Sequence, residues 1–138
     1  MLYVNTRLER TLIDRTWGTD GIIRYNCHGE VGIEDLIGTL RETVADERYA
    51  ETTASLWDLR GADYPIDQSQ HDAAAPIFKT ILGQPGRIRR TAWIVEYKTS
   101  MAIIELYFKR HNLPQEWQTF HQYEEGEAWC RGATMNLA

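Results

Sequence analysis

The strongest constraint on this chain is an alternation. The short β-branched or aromatic runs Ile22-Ile23-Arg24-Tyr25-Asn26-Cys27, Ala54-Ser55-Leu56-Trp57-Asp58-Leu59 and Arg90-Thr91-Ala92-Trp93-Ile94-Val95-Glu96 are each followed by a longer run with helical spacing. Chains patterned this way fold into βα units, whose parallel strands need helical crossovers between them. Ala54 to Leu59 is apolar nearly throughout and reads as a central strand, covered on both faces. The expected fold class is therefore α/β, a mixed and mostly parallel sheet of about four to five strands with helices packed on it.

The chain has 138 residues, 43% apolar and 25% charged, without repeats or low-complexity tracts, so a single domain over residues 1–138 is expected. Residues 1–20 form an N-terminal edge segment of uncertain structure. Arg7 to Trp17 reads equally as an edge strand or a helical turn, before a turn at Gly18-Thr19-Asp20-Gly21. The first strand is expected to end at His28-Gly29. Ile33, Ile37, Leu40 and Val44 predict an amphipathic helix over Ile33 to Arg48, with Glu34 and Asp35 in the dipole-favoured first turn. A further helix, capped by Asp67 or Ser69, should break or kink at Pro76, where a backbone donor is missing. Later come a helix from Ser100 to His111 capped by Thr99 or Ser100, a strand at Glu116 to Phe120 and a short helix from Glu124 to Cys130.

No run approaches the ~18 uninterrupted apolar residues of a membrane span, and the first residues show no basic segment leading into an apolar signal core, so a cytoplasmic location is expected. The net charge of −5 argues against a partner that tracks nucleic-acid phosphates. Cys27 and Cys130 are far apart and outside any metal-ligand spacing, which predicts two buried, reduced thiols and no metal. Neighbours on a strand point to opposite faces, which removes Cys27-His28 as a nucleophile and base pair. No phosphate-binding loop, dinucleotide fingerprint, nucleophile elbow or HExxH element occurs; no cofactor and no catalytic residue are assigned, and the chain is expected not to be an enzyme.

Three places remain as candidates. Asp58 closes the expected central strand, and in open α/β sheets ligands collect beyond the carboxyl ends of strands, so Asp58 and the loop carrying Arg60, Asp63, Asp67 and Ser69 form a partner or ligand surface. An Asp there that simply holds loop amides is the competing reading. Arg87, Arg89 and Arg90 are the basic cluster of the chain and fit an anion-binding loop or, as plainly, a solvated one. Helical spacing puts Met101, Ile103, Ile104, Tyr107 and Phe108 on one broad face, with Leu106 and Ala102 beyond it and Glu105 spaced to pair with Lys109. The surplus at Met101, Ile103, Leu106 and Tyr107 fits an interface to a second copy of the chain or an apolar ligand, or else cover from Trp117, Phe120 and Trp129.

The strand leading into His28-Gly29-Glu30-Val31, the segment Leu56-Trp57-Asp58-Leu59-Arg60-Gly61-Ala62, the strand Thr91-Ala92-Trp93-Ile94-Val95 and the closing Phe120 with Glu127-Ala128-Trp129 carry a family likeness. Their order resembles the STAS-like family of anti-sigma-factor antagonist domains, and more closely its SpoIIAA-like branch, grouped with SEC14-like lipid-binding folds. The likeness covers roughly Ile22 to Arg131 through short, tolerant motifs. It implies an Asp-Ser-Ser-Gly element whose phosphorylated Ser switches binding to a kinase-like partner. The matching stretch here is Ile66-Asp67-Gln68-Ser69-Gln70-His71, which makes Ser69 the candidate phosphorylation site, although Gln68 and Gln70 depart from Ser and Gly. Together these readings predict a non-enzymatic, regulatory module that binds a protein partner. The alternative is a carrier or sensor of a small apolar, lipid-like molecule in a SEC14-like pocket, and in either case a homodimer through the late apolar helix is open.

Overall fold

The computed structural model describes residues 12–63, 68–83, 90–112 and 115–135. Its strands are β1 (Ile13–Trp17), β2 (Ile22–Glu30), β3 (Ala54–Asp63), β4 (Arg90–Ile94) and β5 (Glu116–Phe120). The α-helices among the described residues are α1 (Ile33–Ala45), α2 (Gln68–Leu82), α3 (Lys98–His111) and α4 (Tyr123–Met135). The strands lie side by side in chain order, with β1 antiparallel to β2 and the remaining pairs parallel, so the α/β expectation holds with five strands. The readable part of the opening segment is the edge strand. The expectations for Asp67, Arg87 and Arg89 lie outside the described residues, as does the start of the opening segment.

Because each parallel crossover turns in the same hand, α1, α2 and α3 share one face of the sheet. There Ile23, Tyr25, Cys27 and Trp57 from the strands meet Leu36 of α1, Ala74 and Phe78 of α2 and Phe108 of α3. Alternate residues of the same strands, Ile22, Ala54, Leu56, Ala92 and Ile94, form a second core with Cys130 of α4. Both faces are buried, which explains the continuous apolar runs of the central strands.

Several boundaries differ from the sequence expectation, each for a local reason. β2 continues through His28-Gly29 because Gly29 adopts φ 72° and β3 runs on to Asp63, pairing His28, Gly29 and Glu30 with Gly61, Ala62 and Asp63. α1 stops at Ala45, short of Arg48, because Asp46 accepts the Arg48 N–H at 2.9 Å and starts a 3₁₀ turn over Glu47–Glu51. α2 passes through Pro76 without interruption: only one donor is lost, the ring is exposed, and Ala74, Ala75, Phe78 and Ile81 keep the buried face whole. α3 starts at Lys98 behind Tyr97, without a side-chain cap from Thr99 or Ser100, and ends at Asn112, left-handed at φ 49°. β4 ends at Ile94, and α4 is longer than the expected Glu124 to Cys130. Phe120 and Trp129, expected as cover for α3, lie in the other core with α4, and Trp117 alone of that trio reaches α3, its ring tilted by 30° and 5.2 Å from that of Phe108.

Candidate functional site

Between the sheet and the α1–α2–α3 layer lies a cavity of about 340 Å³. Its sheet side is an in-register aromatic row: Tyr25 pairs with Trp57 and Trp57 with Trp93 across three parallel strands. The Tyr25 and Trp57 rings stack at 3.8 Å and 16°, and Trp57 and Trp93 at 5.3 Å and 25°. One step towards the strand starts, the small Ser55 and Thr91 occupy the same face, so the surface drops from large rings to short hydroxyls and leaves a hollow beneath the helices. Ile33, Leu36, Leu40 and Val44 of α1, Phe78 and Leu82 of α2 and Ile104 and Phe108 of α3 wall it with hydrocarbon.

The hydroxyls of Tyr25, Thr43, Ser55 and Thr91 inside are engaged, whereas the Trp93 indole N–H is buried without a hydrogen-bond partner. Tyr25 and Thr43 share a hydrogen bond of 2.7 Å, Ser55 and Thr91 one of 3.0 Å, and Thr91 also donates to the Gln115 amide oxygen. Burial pushes the Tyr25 phenol far above its ordinary range, against the lowering effect of Thr43, so it stays neutral. Paired hydroxyls and neutral rings suit a mainly apolar guest, with the Trp93 indole N–H as the one open donor among these floor groups.

α1 packs closely on α2, whereas the backbones of α2 and α3 stay apart and are joined by side chains. Tyr107 of α3 donates to the His71 carbonyl of α2 at 2.7 Å. Asp72 of α2 receives His111 Nε2 at 2.7 Å on one oxygen and Arg110 Nη2 at 3.4 Å on the other. His71, Asp72, Tyr107 and Arg110 line the cavity, and the half-exposed Arg110 marks its rim. The Tyr107 hydroxyl is pushed up to about 12 by burial and by the nearby Asp72 carboxylate, so it remains a donor at neutral pH.

The expected α3 face is divided by this arrangement. Phe108 is buried, Ile104 and Tyr107 are half-buried, Ile103 is exposed despite its expected place with them, and Leu106 is 63% exposed. Ile103, Leu106 and Tyr107 all border the cavity, so the surplus apolar residues form its rim, while Met101 lies half-buried outside the lining. Glu105 accepts a hydrogen bond from Thr119 of β5 at 2.8 Å instead of pairing with Lys109, which fastens α3 to the sheet edge.

Of the other candidates among the described residues, Asp58 and Arg60 are brought together, while Ser69 and Arg90 lie apart from them. Asp58 stands within β3, not at its end, and Arg60 and Asp63 are strand residues instead of loop residues, because the pairing with β2 extends the strand. Asp58 accepts the Arg60 backbone N–H at 3.1 Å and its Nε and Nη2 at 2.9 and 2.8 Å, the amide-holding role. Burial would raise this carboxyl, but the Arg60 bonds outweigh it and hold it below its ordinary value. Arg60 lies over the Tyr123 ring at 5.8 Å, on the α4 side of the sheet, whereas Ser69 sits exposed in the first turn of α2. Arg90 starts β4, in keeping with the strand expected from Arg90, and is engaged there: it donates to the Trp129 carbonyl at 2.7 Å, lies over that indole at 4.9 Å and pairs with Glu116 at 3.4 Å. Cys27 and Cys130 are buried free thiols, as expected. Among the described residues no group of three His, Cys, Asp or Glu side chains is placed to hold a metal, and no helix is long and apolar enough to cross a membrane.

The sequence reading missed Tyr25, Ser55, Thr91, His71, Asp72 and Arg110 as cavity residues. A signal existed for the floor: aligning the three expected parallel strands at their centres places Tyr25, Trp57 and Trp93 in one row. None existed for Asp72 and Arg110, 38 positions apart on helices whose approach no local pattern encodes.

No family model matches the sequence, and no curated protein matches it. Solved structures do match. An uncharacterized protein of the DUF3478 family from Shewanella loihica, described as having a SpoIIAA-like fold, superposes with a TM-score of 0.56 at 18% identity, over 86% of this chain and 91% of that one. The fold is SpoIIAA-like. The anti-sigma factor antagonist SpoIIAA in its unphosphorylated form gives the same TM-score of 0.56 at 14% identity, over 87% of this chain and 98% of that protein. The SpoIIAA-like fold thus accounts for nearly all of the sheet and its helices.

Proposed function

We propose that this chain is a non-enzymatic binding module of SpoIIAA-like fold that takes a small apolar molecule between its sheet and its α1–α2–α3 layer, as a sensor or carrier. The observation that carries this reading is the cavity of about 340 Å³, whose walls are aromatic and aliphatic and whose inner hydroxyls already pair with one another. Such a volume lies near the lower end of the range for ligand pockets, about 300–1,000 Å³, and suits a compact guest. Native mass spectrometry of the gently purified protein tests it. A bound small molecule is expected, to be lost in Val44→Phe, which fills the cavity while the circular dichroism spectrum is retained. A wild-type protein free of adducts, and whose melting temperature no apolar compound raises, would count against the reading.

A second reading is that the module acts on a protein partner. The exposed Tyr97, Ile103 and Leu106 of the α3 region favour it, as does the occurrence of this fold in an anti-sigma factor antagonist. In that reading Ser69, exposed in the first turn of α2, is the phosphorylation site. Phosphorylation there would add a charge of about −1.5 to −2 beside the cavity wall. Treatment with a cell-extract kinase fraction and mass spectrometry at Ser69 tests this, and an unmodified Ser69 under conditions that phosphorylate SpoIIAA would argue against it. The two readings join if the guest alters how α3 presents its apolar rim.

A further inference from the structure

The α2–α3 gap carries a donor without an equal demand on it. Asp72 has both oxygens engaged, one by His111 at 2.7 Å and the other by Arg110 at 3.4 Å. Arg110 brings five N–H groups in a planar fork, and its ion pair to Asp72, at 3.4 Å, uses one nitrogen. The side chain is half exposed and borders the cavity, so the unused edge of the fork lies at the entrance to a mainly apolar space. Spare capacity at this entrance is therefore for a negative group. A cationic head would have to compete with both Arg110 and His111 for Asp72.

We infer that the guest is an amphiphile with a compact apolar body and a carboxylate head, the body lying on the Tyr25–Trp57–Trp93 row and the head received by Arg110. This inference rests on the reading of the cavity as a ligand site. The carboxylate would take two parallel hydrogen bonds from the guanidinium, an arrangement stronger than a neutral hydroxyl can make there. Asp72, itself paired with His111, meets the guanidinium through its long 3.4 Å contact and competes with the incoming head for Arg110.

The probes are decanoate, decanol and decylammonium below their micelle-forming concentrations, titrated into the whole protein and followed by tryptophan fluorescence and melting temperature. Decanoate is expected to bind about tenfold more tightly than decanol, and decylammonium more weakly than either. Arg110→Gln should bring decanoate to the affinity of decanol and leave decanol unchanged, which shows the cavity intact. Asp72→Asn, which frees Arg110 from its competitor, should strengthen decanoate binding. Equal binding of decanoate and decanol, or decanoate affinity unaltered by Arg110→Gln, would overturn the carboxylate inference while the ligand-site reading stands. Failure of all three probes to bind would overturn both.

Discussion

The two faces of the sheet are built from alternate residues of the same strands, yet they pack differently. On the α4 face the helix settles directly on the strands: a Cβ on Gly126 would stand 2.5 Å from Ile94 Cδ1 and 3.4 Å from Phe120. Arg24 of β2 then clamps α4 in place, with Nη2 at 2.9 Å from both Asp20 and Glu127. On the opposite face, the aromatic row and the separation of α2 from α3 hold the helices off and leave the cavity. One face is a close-packed support, and the other keeps volume that close packing would have removed. Burial of apolar surface is common to both; what separates them is the size sequence of the residues along each row.

The largest effect that would break this contrast is expected at Gly126. Gly126→Val places branched carbons against Ile94 and Phe120 and should cost about 3 kcal/mol by urea unfolding, at the upper end of typical overpacking penalties. A loss below about 1 kcal/mol would mean that α4 is not tightly seated. Next comes the clamp. Arg24→Met should cost about 2 kcal/mol at pH 7, since it removes charged hydrogen bonds to two partly buried carboxylates. The Arg24 hydrogen bond, against the opposing effect of burial, holds the Asp20 carboxyl below its ordinary value of 3.8. That contribution is present above 3.8 and is lost as pH falls through the lower folded value, so acid unfolding should be less steep in Arg24→Met than in the wild type.

The two thiols give a paired probe, one in each core. Burial pushes both Cys27 and Cys130 up to about 12, so neither is a thiolate at neutral pH. The stability tied to their neutral forms is complete below the ordinary 9.0 and declines as pH rises towards about 12. If the cavity-side layer opens more readily, Cys27 should be alkylated about tenfold faster than Cys130 under native conditions, read by peptide mass spectrometry. Equal rates would show that the two faces open together. The smallest effect is expected for Leu40→Phe on the cavity wall, within about 0.5 kcal/mol of wild type or slightly stabilising, because the added carbons enter existing space. A cost like that of Gly126→Val would remove the contrast.

Much of the scaffold was legible because its signals are local. The apolar runs at Ala54 and Arg90, the i, i+4 spacing of α1 and the alternation in β5 each depend on residues within a few positions of one another. The errors lie where a distant partner decides. Asp58 was expected at a strand end, but pairing of Gly61 to Asp63 with β2 carries the strand past it. Pro76 was expected to interrupt a helix, yet one missing donor does not outweigh the buried face that Ala74, Ala75, Phe78 and Ile81 form together. Arg90 belongs by sequence both to a strand and to an arginine cluster, and its partner on the strand, the Trp129 carbonyl 39 residues away, has no local signal.

Periodicity and apolar content act within short spans of chain, and they suffice for the parallel α/β sheet, the burial of both cysteines and the central placement of Trp57 and Trp93. The hollow at Ser55 and Thr91 beside the Tyr25–Trp57–Trp93 row, and the closure of Asp72, Arg110 and His111 on one another at its rim, arise from tertiary packing. A cavity belongs to no residue: its volume is set by how far several helices stand from a sheet, and that distance depends on side-chain sizes at positions far apart in the chain.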